Sequence, residues 1–116
     1  MKDAMQAIEY RGKTYRLAFD LNVMEAIQSR YGSIEAWGRL TEPGDGGEPN
    51  IGALVFGVTE MVNEGIDISN DEDGTDEKPL THKQVARILT EVGLESVAGK
   101  MQRSVIDSTE DDSKNA

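Results

Sequence analysis

The stretch "RLAFDLNVMEAIQSRYGS" (residues 16–33) runs a short alternating strand directly into a capped amphipathic helix. Asn22 and Glu25 have the spacing of a capping box, in which the amide oxygen takes a free backbone N–H and Glu25 reaches back. Val23, Ala26, Ile27 and Tyr31 then form one apolar stripe, and Gly32 suits a left-handed exit. Caps and stripes account for nearly every position, which leaves little here for chemistry.

Upstream, "AIEYRGKTYRLAF" reads as a β-hairpin over residues 7–19. Ile8 and Tyr10 alternate with polar neighbours, as do Tyr15, Leu17 and Phe19 on the return, and Gly12 supplies the turn. A two-stranded ribbon is marginal alone, so its apolar face should lie on helices. Downstream, Ser33 can cap a second helix that carries Ile34, Trp37 and Leu40 on one side. Asn50 opens a third, on which Ile51, Leu54, Val55, Val58 and Val62 share a face, and Gly65 is expected to end it. The run "NDEDGTDEK" reads as a loop. Thr81 with Gln84 offers a further capping box, followed by Val85, Ile88, Leu89 and Val92. After Gly93, a last helix carries Leu94, Val97, Ala98, Met101 and Val105. The expected fold is therefore mainly α with an N-terminal β-hairpin (α+β), a single domain over residues 1–106. Its four to five helices fall at about 22–31, 34–40, 51–64, 82–92 and 95–106. Residues 67–78 are expected as an acidic flexible loop and 107–116 as a disordered acidic tail.

Composition bounds the function. The chain has 116 residues, which suits one domain, and a net charge of −10. Residues 67–78 contribute −5 and 107–116 contribute −3, whereas 79–106 sum to +2. Such acidity opposes binding to a phosphate backbone, so nucleic acid is not an expected partner. No stretch approaches the roughly 20 apolar residues of a membrane span, and "MKDAMQAIEY" does not read as a secretory signal. The absence of cysteine excludes disulfides and thiolate metal sites, and it fits a reducing compartment.

Catalytic and metal signatures fail on inspection. Aligning Gly74 with the sixth position of an EF-hand loop puts Ser69 first and Leu80 twelfth, where Asp and Glu are needed. His82 is the only histidine, so a zinc site would need carboxylates at nearly every position. "GDGGEPN" lacks the lysine and the preceding strand of a phosphate loop. The expectation is a non-enzyme without cofactor or metal.

Two surface features could meet a partner. Phe56 lies off the main stripe of the third helix beside the small residues Gly52, Ala53 and Gly57. Coverage of this helix by the chain's own hairpin is the favoured plain explanation, and contact with a partner is the functional one. Lys83 and Arg87 are four apart and Lys100 and Arg103 three apart, so each pair can share a helix face. They would be a solvated exterior, or a dock for a partner or for the acidic tail.

The order of these segments resembles the tail assembly chaperones of long-tailed bacteriophages and prophages. "IEYRGKTYRLAFD" is similar to the family's opening hairpin, "NVMEAIQSRYGSIEAW" to its helix ending in Tyr-Gly-Ser, and "LTHKQVARIL" to its Leu-Thr helix opening. The likeness spans roughly residues 8–106, and the loops "PGDGGEPN" and "NDEDGTDEK" look like insertions. The resemblance implies a factor of the host bacterial cytoplasm that is absent from the finished virion. Its partners would be the tape measure protein and tail tube subunits, with self-association possible. The alternative is a virion structural protein for tail completion or head–tail joining. A DNA mimic, suggested by acidity alone, ranks last.

Overall fold

The computed structural model describes residues 5–115, with side chains through Ser108. Two strands and five helices follow one another along these residues: β1 (Ala7–Tyr10), β2 (Lys13–Arg16), α1 (Leu21–Tyr31), α2 (Ile34–Thr41), α3 (Ile51–Asp73), α4 (His82–Val92) and α5 (Leu94–Asn115). The fold is mainly α with an N-terminal antiparallel hairpin. Residues 1–4 of the expected domain and Ala116 of the expected tail lie outside the described residues.

The hairpin pairs Ala7 with Arg16, Ile8 with Tyr15, Glu9 with Thr14 and Tyr10 with Lys13. Arg11 and Gly12 form its two-residue turn with φ of 51° and 79°, the type I′ geometry whose twist matches that of the strands. Alternation puts Ile8, Tyr10, Tyr15 and Leu17 on one face. That face joins the core, with Ile8 and Leu17 fully buried.

α3 is the centre. Ala53, Leu54, Val55, Val58, Met61, Val62 and Ile66 are all buried along it, as expected for a helix covered on several sides. Two of its glycines make room for backbone and ring. A Cβ at Gly57 would overlap the indole of Trp37 from α2, whose Nε1 donates to the Ala53 carbonyl at 3.0 Å. A Cβ at Gly65 would overlap the Arg16 carbonyl oxygen, while the Ala18 N–H donates to the Met61 carbonyl at 3.2 Å. The end of the hairpin thus lies on the backbone of α3 itself.

Three caps read from the sequence are present. Ser33 accepts from the Ala36 N–H at 3.0 Å and Asn50 from the Ala53 N–H at 2.9 Å; Thr81 and Gln84 bond reciprocally at 3.1 and 2.8 Å. Four expectations need correction. The cap of α1 is Asp20, which accepts from the Val23 N–H at 3.2 Å; Asn22 lies inside the first turn and donates to Glu64 at 2.9 Å. Asp20 caps as well as Asn does, and the earlier start frees Asn22 to reach α3.

Gly65 does not end α3, which continues to Asp73 and absorbs more than half of the expected acidic loop. Arg16 holds this extension through Ser69 at 3.1 Å and Glu72 at 3.7 Å, and Gly74 closes it in the left-handed conformation. Likewise α5 does not stop at 106 but runs to Asn115 through the expected disordered tail. Ser108 donates to the Phe19 carbonyl at 3.2 Å and Arg103 pairs with Asp107 at 3.6 Å. Finally, Ile51 and Leu40, expected to face inward, are 52% and 38% exposed.

The glycine contacts predict opposite signs for two Gly→Ala changes in helices. Alanine gains about 1 kcal/mol in helix propensity at either site. At Gly65 the overlap is with backbone, which no rotamer relieves, and overpacking of about 3 kcal/mol leaves a net loss of about 2 kcal/mol. Gly99 in α5 has open space where a Cβ would go, so Gly99→Ala should stabilise by up to about 1 kcal/mol. Urea denaturation of both variants checks this; equal effects would contradict it.

Candidate partner-binding surfaces

The five residues singled out in the sequence do not converge on one surface. Phe56 is half-buried and packs edge-to-face on Tyr31, with ring centroids 5.6 Å apart, while the Arg30 guanidinium lies 5.0 Å above its ring. Its cover is therefore the end of α1 rather than the hairpin. The small residues beside it serve the chain's own Trp37, through Gly57.

The basic pairs divide. Lys100 is half-buried and its Nζ donates to the Ala7 carbonyl at 2.8 Å, which ties α5 to β1. Arg103 is engaged with Asp107 on its own helix. Lys83 and Arg87 are exposed on α4 and, among the described residues, neither has an ion-pair partner. Of the four, these two remain open to another molecule. His82 is exposed beside them in the first turn of α4.

Apolar exposure was the missed signal. Leu21 is 79% exposed at the first position of α1. Leu40 and Ile51 lie near the junction of α2 and α3, where the Asn50 N–H donates to the Leu40 carbonyl at 2.7 Å. In the sequence Leu40 and Ile51 fit apolar stripes near helix ends, where periodicity alone does not separate inside from outside.

Carboxylates crowd the cleft between the start of α1 and the second half of α3. Asn22, Glu64, Asp67, Ile68, Asn70 and Asp71 line an open concavity there. A hydrogen bond shared with the Asp20 carboxyl is the main cause that raises Glu64 above its ordinary value. Partial burial adds to the rise, the bond from Asn22 opposes it, and the charges of Asp20 and Asp67 reinforce it. Ser69, Asp71 and Asp73, which the EF-hand alignment would place at its first, third and fifth positions, lie on helical backbone. No group of three or more His, Asp or Glu side chains among the described residues is placed to hold a metal ion. No described helix is long and apolar enough to cross a membrane.

Comparison with models of known protein families, with curated proteins and with solved structures gives no match.

The cleft carries a pH dependence of known sign. An acid whose folded-state value is raised contributes stability that is full below its unfolded value and is lost as pH rises through the folded value. At neutral pH, Glu64 and its neighbours repel one another. Glu64→Gln keeps an acceptor for Asn22 and removes the charge. It should be more stable than the wild type by about 0.5 kcal/mol near pH 7, allowing for solvent screening. The advantage should fade as pH falls toward the ordinary value of 4.5. Denaturation at a series of pH values reads this, and an advantage independent of pH would contradict it.

Proposed function

We propose that this chain is a non-enzymatic assembly chaperone of the phage and prophage tail type, which binds the tape measure protein and tail tube subunits during tail morphogenesis. The reading rests on the sequence resemblance, and one observation supports it: the segments that carry the resemblance are packing and capping positions of this fold. Ile8, Tyr15 and Leu17 of the hairpin enter the core. Tyr31-Gly32-Ser33 turns α1 into α2, with Gly32 at φ 93° and Ser33 as the cap. Leu80 packs on the core, and Thr81 opens α4 with a full capping box.

The exterior is suited to the same task. A net charge of −10 keeps a many-copy complex with an aggregation-prone chain in solution. Lys83 and Arg87 on α4 supply a local cationic patch on this acidic body, where an acidic or amphipathic segment of the partner would dock. On this reading the protein works in the bacterial cytoplasm and leaves before the particle is complete.

Co-expression with the tape measure and tail tube proteins of the same genome, followed by pull-down, tests the proposal. The tape measure protein should become soluble and co-purify with this chain, which should be absent from purified particles. Stoichiometric presence in particles would instead favour a structural role in tail completion or head–tail joining. Replacing Lys83 and Arg87 by Glu should weaken capture several-fold, more so at low salt, and leave the stability of the free chain within about 0.5 kcal/mol. Capture unchanged at all salt concentrations would rule out the α4 patch.

A further inference from the structure

Residues 74–80 return from the end of α3 to the start of α4 along α3 itself, held by two asparagines. Asn63 donates to the Leu80 carbonyl at 2.9 Å and accepts from the Leu80 N–H at 2.8 Å. Seven residues on, Asn70 donates to the Glu77 carbonyl at 3.0 Å and accepts from the Glu77 N–H at 3.0 Å and the Thr75 hydroxyl at 2.7 Å. Seven residues are two helical turns, so the two amides share a face. Each holds both main-chain groups of one residue, as a neighbouring strand would.

The two clasps differ in what supports them. Leu80 is half-buried and packs on the core, so the inner clasp is reinforced by apolar contact. Residues 74–79 are all exposed, and among the described residues the outer clasp gains, beyond its hydrogen bonds, the exposed ion pair Lys13–Glu77. Exposed pairs contribute about 0–1 kcal/mol and are screened by salt. Gly74 at φ 70° separates the segment from α3 at one end, and Pro79 stands just before the inner clasp at the other. Segments with little buried apolar area open locally, well below the free energy of global unfolding.

Between this segment and the hairpin lies a cavity of about 150 Å³, bordered by Thr14, Tyr15, Ile66, Ser69 and Glu77. The pair Tyr10–Lys13 flanks the turn and is hydrogen-bonded, so Thr14 directs its main-chain groups away from β1. The outer edge of β2 thus faces the cavity.

We propose that residues 74–79 act as a gate: the outer clasp opens on its own while Leu80 and α4 stay seated, and opening uncovers the edge of β2 and the Ile66 side of the cavity. This gate does not depend on the tail-assembly reading.

Amide hydrogen exchange on the full chain tests it. The Glu77 amide should exchange at least about tenfold faster than the Leu80 amide. Asn70→Ala should abolish the Glu77 protection and leave that of Leu80 intact. Because the chain has no cysteine, the thiol of Ile66→Cys reports uncovering, and its labelling should accelerate about tenfold when Asn70→Ala is added. Glu77 and Leu80 exchanging at one common rate would overturn the proposal. So would a loss of Leu80 protection in Asn70→Ala, or unchanged thiol labelling.

Discussion

The fold depends on one close approach, where the chain leaving β2 lies on the backbone of α3. The Ala18 N–H reaches the Met61 carbonyl, and the Arg16 carbonyl occupies the space that a side chain at position 65 would fill. At position 65 the approach is possible only because the residue carries no Cβ. It sets the height of the hairpin over α3, and with it the depth to which Ile8 and Leu17 enter the core. Two residues after Ala18, Asp20 caps α1, so the same contact fixes where α1 begins. Trp37 repeats the device on a smaller scale at Gly57, and its indole N–H is satisfied there by the Ala53 carbonyl.

Polar bookkeeping follows the same economy. Among the described residues, every buried side-chain nitrogen or oxygen has a hydrogen-bond partner. The buried hydroxyls are satisfied within their own helices, Thr59 by Val55 at 2.7 Å and Ser104 by Lys100 at 3.1 Å. Lys100 and Arg16 spend their charge on tying elements together, α5 to β1 and β2 to α3. Among the described residues Lys83 and Arg87 have no ion-pair partner, and the proposed docking role falls to them.

What could be read from the sequence was local. The hairpin with Gly12 in its turn, the caps at Ser33, Asn50 and Thr81, and the stripes of α1 and α4 are set by residues a few positions apart, so spacing reveals them. The ends of α3 and α5 are set at long range. Gly65 reads as a stop by its own preference, but its neighbour in space is Arg16, and the acidic residues after it are held by Arg16 and by the Asn70 clasp. The same holds for Ser108, whose anchor is the Phe19 carbonyl. Of the candidate surface, the charge of Lys83 and Arg87 was legible, as were the small residues beside Phe56. That the approaching group is Trp37, and that Lys100 is engaged with Ala7, required the tertiary structure.

The Ala18 amide measures the central contact directly, because its acceptor is a carbonyl of the central helix. If the hairpin is seated on α3 as described, that amide exchanges with solvent only through global unfolding, at the rate of the amides of Val58 and Val62. Rapid exchange at Ala18, with Val58 and Val62 still protected, would show that the ribbon lifts off independently and that α3 does not organise the fold.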